Sequence, residues 1–410
     1  MIRTKPFPLA RFLDRFAVLI LVLFTPIRVA AQYYHGPLGS MGPSTLTEEF
    51  AAAHSVVLSK WVTGSPAKET DPGTTDFELV EDIQRGTELP KGSRLRLTKY
   101  HAGKAGELFL LLSNLGEDRT HHWRRCIQVT QTEYDYVKQL PKLDQPPVKR
   151  LAHFLKYLEH SDPMISTDAF SELDDASDVD VVKLAKELSP DKLRSWVTST
   201  TVPINRHGLY AKLLGLCGTM ADAKLLEREI FKKKESDSDE FGVEVRMGIE
   251  GVMSGYLMLA GENGLTVLDE KALRDKEASF SETYAAMRAL RFIWEFGDNR
   301  IKPDRLRQSM RTLLERPELA DLVIADLARM KDWSVQDRLM TIYVSDEYDV
   351  PSTKRAIASF MLASAEDIGN KADAAQPLPA HAIQAQKYLE ELEIRDPKIV
   401  KDAKWRRTLK

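Results

Sequence analysis

Two periods divide the chain. Between residues 55 and 137 apolar side chains alternate with polar ones or fall in short blocks: 55–63 (Val56, Val57, Leu58, Trp61, Val62), 74–83 (Phe77, Leu79, Val80, Ile83), 93–100 (Leu95, Leu97), 106–113 (Leu108 to Leu112) and 126–137 (Ile127, Val129, Tyr134, Tyr136). Runs of this length and composition, bounded by Asp71-Pro72-Gly73, Arg85-Gly86, Pro90-Lys91-Gly92 and Gly103-Lys104-Ala105-Gly106, predict five strands joined by turns. Five short strands in about 90 residues suit a small closed or half-closed barrel spanning 45–138.

The joint 139–148, with Pro141, Pro146 and Pro147, ends that pattern. Beyond it the period changes to 3.6. Leu151, Phe154, Leu155 and Leu158 begin the series, followed by Val181, Leu184, Ala185 and Leu188, by Leu306, Met310, Leu313 and Leu314, and by Leu319, Val323, Leu327 and Met330. Each helix has one apolar face and needs neighbours. Boundaries are marked by Pro163 after Asp162, Pro190 after Ser189, Ser279 with Glu282, and Gly218, Gly261 and Gly297 as stops. The stretches 232–240 and 370–379 read as exposed loops. Gly248, Gly251, Ser254 and Gly255 form a small-residue strip that predicts close approach of two helices.

A weak internal echo recurs at roughly 42 residues, a period of two-helix repeats. The segment 180–188 (DVVKLAKEL) lies over 222–230 (DAKLLEREI), and the helices before them are offset by about the same amount. Residues 149–410 thereby resemble HEAT and armadillo-type α-solenoids of about six units. In the β part, "VVLSKWV", "TTDFELVEDIQRGTELPKGSRLRL" and "GELFLLL" resemble the OB-type barrel of netrin-module and tissue-inhibitor-of-metalloproteinase-like domains. The inhibitors chelate zinc through an N-terminal cysteine. The stretch after Ala31 begins with Gln32, so the resemblance does not imply that activity. Over the whole chain, "FSETYAAMRALRFIWEFGD", "RIKPDRLRQSMRTLL" and "ERPELADLVIADLARMKDWSVQDRLM" resemble a group of exported proteins of planctomycete-type bacteria, which implies the two-part architecture and no particular activity.

Composition narrows the classes. With 43% hydrophobic and 29% charged residues the chain is that of a folded protein, not a disordered or many-span membrane one. Residues 1–31 have a basic n-region, a short apolar run 16–24 and a Val29-Ala30-Ala31 end, the layout of a cleaved secretory signal. A flexible lead-in, 32–44, follows. The formal net charge of −3 includes +4 in residues 1–31, so the remainder is mildly acidic, which argues against a nucleic-acid partner. The expected location is periplasmic or extracellular, with no membrane span after signal cleavage. Cys126 and Cys217 fall in different parts, and Cys217, in line with Leu209, Leu213 and Leu216, reads as a small buried apolar side chain.

Reactive chemistry is sparse. His121-His122-Trp123-Arg124-Arg125-Cys126 offers imidazole and thiol groups without paired metal-ligand spacing, and reads as a polar loop entering the last strand. His153 and His160 lie opposite the apolar face of their helix and read as solvated. The acids from Asp162 to Asp180 lack a calcium loop's central glycine and read as a solvated helix end. The least bland feature is 288–316, with eight bases against four acids. Arg288, Arg291, Trp294, Arg307 and Arg311, with nearby Trp333, are the candidate partner-binding residues, because arginine and tryptophan concentrate at interaction hot spots. Their alternative is pairing between helices with Glu315, Glu318, Asp321, Asp326 and Asp337.

The expectation is a multidomain exported protein: a small all-β, OB-like barrel followed by an all-α, HEAT-like repeat domain. Its expected role is non-enzymatic binding or scaffolding of another protein, acidic in character, without cofactor, metal or nucleic acid. The alternatives are a hydrolase-like enzyme with scattered residues and an inhibitor or lid acting through the β part. No nucleophile, base and orienter set recurs in a known motif.

Overall fold

Val56, Leu58, Leu110 and Leu112 alternate with Val57, Leu79, Phe109 and Leu111 on neighbouring strands, and both sets are buried. Their sheet therefore needs cover on two faces. The strands are β1 (Ser55–Ser65), β2 (Thr74–Gln84), β3 (Arg94–Leu97), β4 (Leu108–Leu115) and β5 (His121–Val129), antiparallel in the order β3-β2-β1-β4-β5. The fourth strand returns beside the first, a Greek-key order. One face joins the main core with Leu46, Tyr134, Tyr136, Leu151 and Phe154. The other encloses Val57, Phe77, Leu79, Leu95, Leu97, Phe109 and Leu111, with Trp61 and Trp123 packed against it.

The computed structural model describes residues 45–84, 89–117, 119–232, 246–368 and 377–408. The expected signal, the lead-in, the Arg85-Gly86 turn and most of the loops 232–240 and 370–379 lie outside these residues. The described residues form one compact unit. The small antiparallel sheet is followed by a largely helical region, and no described helix is long and apolar enough to cross a membrane.

Four of the five strands fall where alternation places them; the last does not. Residues 126–137 were expected to be one strand, yet β5 ends at Val129 and Gln131–Val137 is a helix. Thr130 accepts the Glu133 N–H, and the Glu133 carboxylate accepts the Thr130 N–H at 2.5 Å. This capping box outweighs the strand preference of Tyr134 and Tyr136. The polar loop expected at 121–126 is itself part of β5. A second capping box, Thr45 with Glu48, starts the helix Leu46–Ala52 in front of the sheet.

In the helical region the cap signals act as expected. Asp162 accepts from Met164 and Ile165 N–H, Ser279 accepts from Glu282 N–H, and Gly218 and Gly297 follow Ile204–Cys217 and Phe280–Phe296. Gly261, with φ +60°, breaks the helix Ile249–Leu268.

The small-residue strip brings backbones together. A methyl at Gly251 would lie 2.2 Å from the Gly208 carbonyl oxygen, one at Gly255 2.1 Å from that of Ala211, and one at Gly215 2.4 Å from Gly255 Cα. Gly208 lies against Gly248 and Gly251 while Gly215 lies against Gly255, so these two helices run in the same direction.

Candidate functional site

The basic stretch 288–316 runs over two helices, and a third faces it. Helix Phe280–Phe296 buries Ala286, Met287, Leu290 and Ile293, which leaves Arg288, Arg291 and Trp294 on its flank. Helix Pro303–Thr312 buries Leu306, Ser309 and Met310 and carries Arg305, Arg307 and Arg311. Helix Ala320–Arg329 and the turn after it supply the facing groups Asp326, Met330 and Asp332.

Each candidate residue is engaged within the chain. Arg288 Nη1 lies 2.8 Å from Glu250 Oε2. Arg291 Nε donates to Asp326 Oδ2 at 2.5 Å, and Arg329 reaches the other oxygen of the same carboxylate at 3.0 Å. Asp326 is buried; loss of solvent pushes its carboxyl up, and Arg291 followed by Arg329 pulls it back. Arg307 donates twice to the Met330 carbonyl, at 2.9 and 2.7 Å, and its guanidinium lies 5.3 Å from the Trp294 ring centroid. Cations on the last carbonyls of a helix are favoured by the dipole and by the unsatisfied acceptors. Arg311 grips the buried Asp332 with both forks, at 2.5 and 2.7 Å, and Ser334 donates to the same group.

Trp333 faces elsewhere. Its Nε1 donates to Asp367 Oδ2 at 2.7 Å, and its ring stacks on His381 at 5.8 Å. Hydrogen bonds from Lys331 and then Trp333 hold the Asp367 carboxyl below its usual range. The structure thus brings Trp294 together with Arg307, and aims Arg291 and Arg311 at two acids of the next segment. It joins Trp333 instead to the end of the helix Pro351–Glu366 and to His381 in the helix Ala380–Arg395. Trp333→Phe keeps the stack and deletes one donor to a carboxylate. A loss of about 1–2 kcal/mol is expected in urea unfolding followed by circular dichroism.

Of the acids expected to pair with this stretch, Asp326 and Glu318 do so, the latter with Arg316 at 2.8 Å. Asp337 instead accepts from Tyr388 at 2.6 Å, and Glu315 lies 3.9 Å from Arg338. Glu250, Asp269 and Asp332 were not foreseen; Arg305 binds Asp269 at 2.6 Å. Along the same edge an open depression of about 740 Å³ is lined by Glu262, Lys302, Pro303, Asp304, Arg305, Arg307 and Gln308.

A second polar cluster was missed altogether. Asp168 and Glu172 are buried, not solvated, and meet the buried Glu49. Asp168 accepts from the Leu46 N–H at 2.7 Å and from the Tyr136 hydroxyl at 2.6 Å. Glu172 accepts from Thr47 Oγ1, and from Arg150 at 3.2 Å. A signal for this existed in the spacing: 165, 168, 169, 172 and 173 share one helix face, and Ile165, Ala169 and Leu173 are its apolar members.

The remaining titratable candidates have local roles. His121 exchanges a hydrogen bond with Ser113 at 2.9 Å and stacks on Trp123. His153 is half-buried, not solvated, packed against Phe154 and Tyr157, and its imidazole is held below the usual value by burial and then by Lys156. His160 is also half-buried and accepts from the Asp162 N–H at 3.1 Å. Burial pushes the Cys126 thiol up to about 12 and the Cys217 thiol to about 11, so neither is a thiolate at neutral pH. Among the described residues no three His, Cys, Asp or Glu side chains are grouped to hold a metal ion. Comparison with known protein families, curated proteins and solved structures finds no match to this chain.

Proposed function

We propose that the protein is an exported, non-enzymatic binding or scaffold protein that offers one face of a HEAT-like helical array to another protein. The observation that carries this reading is the open depression at Lys302, Arg307 and Gln308: a shallow, mixed-charge face on stacked helices suits a protein surface better than a small substrate. Two features support the array. The helices Ile204–Cys217 and Ile249–Leu268 run side by side in one direction, as equivalent helices of successive repeats do. Contacts Arg291–Asp326, Arg246–Glu282, Arg305–Asp269 and Arg300–Met258 join residues 35 to 42 apart, close to the period of the sequence echo.

Within this reading the arginines serve first as rungs between helices, and the partner meets the exposed Lys302 and Gln308 beside them. The β part is proposed as a half-closed OB-like barrel. Its Greek-key order and its second core on the inner face support that reading. The signal-like pattern of residues 1–31 supports export.

Site-specific photo-crosslinking in native cells tests the face. A photoreactive residue at Gln308 is expected to give one discrete protein adduct, identified by mass spectrometry, that a probe at the exposed Lys192 does not give. Equal or absent adducts at the two positions would remove the assignment.

A further inference from the structure

The buried carboxylates of Asp168, Glu172 and Glu49 stand at the junction of four helices. Leu46–Ala52 brings Glu49, Thr47 and the Leu46 N–H; Gln131–Val137 brings Tyr136; Pro147–Phe154 brings Arg150; and Pro163–Asp174 brings Asp168 and Glu172. Strand β5 adds Arg125, whose Nε lies 2.8 Å from Glu49 Oε2, and Arg124, which donates to the Glu49 carbonyl at 3.3 Å. Tyr157 packs edge-on against Tyr136 at 4.9 Å, and His153 packs on Tyr157. Three carboxyl groups therefore share one dry site with two nearby guanidiniums, Arg150 and the half-exposed Arg125.

Among the described residues no cation is paired with Asp168. Its two oxygens are served by a backbone N–H and a phenol, while Arg150 is committed to Glu172 and Arg125 to Glu49. Glu172 and Glu49 both repel a charge on it. Ionising Asp168 thus places a third negative charge where solvent is excluded, and the natural relief is for the helix Leu46–Ala52 to lift and let water in.

We propose that this cluster is a proton-controlled latch: with Asp168 protonated the helix Leu46–Ala52 is held against the helical region, and loss of that proton to solvent loosens the hold. On protonation the Asp168–Tyr136 hydrogen bond reverses, the carboxyl donating to the phenol oxygen, and the Leu46 N–H keeps its acceptor. Burial, ahead of every other cause, lifts the Asp168 carboxyl to about 6 in the closed form, and Glu49 is raised by the same cause. The sign follows from linkage. A proton held more tightly in the closed form favours closure at low pH, and that advantage is gone once the pH has risen past about 6. Between an exposed carboxyl near ~3.9 and one near 6, the opening constant rises about tenfold from pH 5 to pH 8.

Hydrogen exchange of the full chain reads this directly. The amides of Glu49 and Ala53, bonded to the carbonyls of Thr45 and Glu49, are expected to show an opening constant that rises about tenfold over that range, after correction for intrinsic exchange. In Asp168→Asn the same amides are expected to show no such rise. A wild-type opening constant that does not change with pH, or one that rises equally in Asp168→Asn, would overturn the latch. Tyr136→Phe provides a second check if the first variant does not fold, because it keeps the carboxyl and deletes a donor to its charged form. The midpoint of the rise is then expected at higher pH, and an unmoved midpoint counts against the proposal.

Discussion

Gly255→Leu is expected to prevent the native packing of the helical region, and Gly255→Ala to cost about 3 kcal/mol. The reason is distance. A β-carbon at Gly255 would lie 2.1 Å from the Ala211 carbonyl oxygen and 3.2 Å from Leu226 Cδ1. The oxygen belongs to a helix backbone and has no rotamer through which to yield. Relief requires the helices Ile204–Cys217 and Ile249–Leu268 to part by about 1 Å or more, and interiors packed to crystal density do not absorb that. Separation would also loosen Leu213, Leu214, Val252 and Leu257, all buried in the same core. Alanine recovers roughly 0.8–1 kcal/mol of helix propensity relative to glycine, which is too little to offset the clash. Urea titration of Gly255→Ala decides the matter: a midpoint at or above that of the unchanged protein would mean that the two backbones are not in contact.

That strip was readable because it depends on residue size at helical spacing alone. Gly248, Gly251, Ser254 and Gly255 lie on one side of the helix start, where the positions between them (Ile249, Glu250, Val252 and Met253) are large, and close approach accounts for them. The same holds for Asp162, Ser279 and Gly297, whose capping roles depend on neighbours within a few residues. The helices Leu46–Ala52 and Gln131–Val137 were missed although their capping boxes are equally local. In the second, Tyr134 and Tyr136 alternate as in a strand, and only the Thr130–Glu133 pair argues the other way. Seven residues give little periodicity to weigh against that.

Partners across the helical region were the least legible. Arg311 and Asp332 are 21 residues apart and Arg305 and Asp269 36 apart. Which acid meets which base depends on how the intervening helices turn, and side-chain charge does not encode that turn. Burial of Asp168 and Glu172 was hidden by their chemistry. Carboxylates are seldom fully buried unless paired, and their partners Leu46, Thr47, Tyr136 and Arg150 come from three other helices.

The double variant Arg307→Glu with Arg311→Glu separates a structural ladder from a binding groove, and it is expected to lower the melting temperature by on the order of 10 °C. Asp332 is almost wholly buried, and removal of its bidentate partner leaves a charge without compensation, at a cost of about 3–5 kcal/mol. A glutamate at 311 adds a like charge facing it. At 307 the loss is of two charge-assisted bonds to the Met330 carbonyl and of the cation on Trp294, worth about 1–3 kcal/mol more. The turn 330–335 is held by these contacts and should detach first, taking the Trp333–Asp367 bond with it. Arg311→Glu combined with Asp332→Arg is expected to recover part of the loss, since the pair is restored with its signs exchanged. Calorimetry reads the stability, and the crosslink from Gln308 reads the partner. A double variant that melts with the unchanged protein while losing its crosslinked partner would assign these arginines to the binding face and dismiss the ladder.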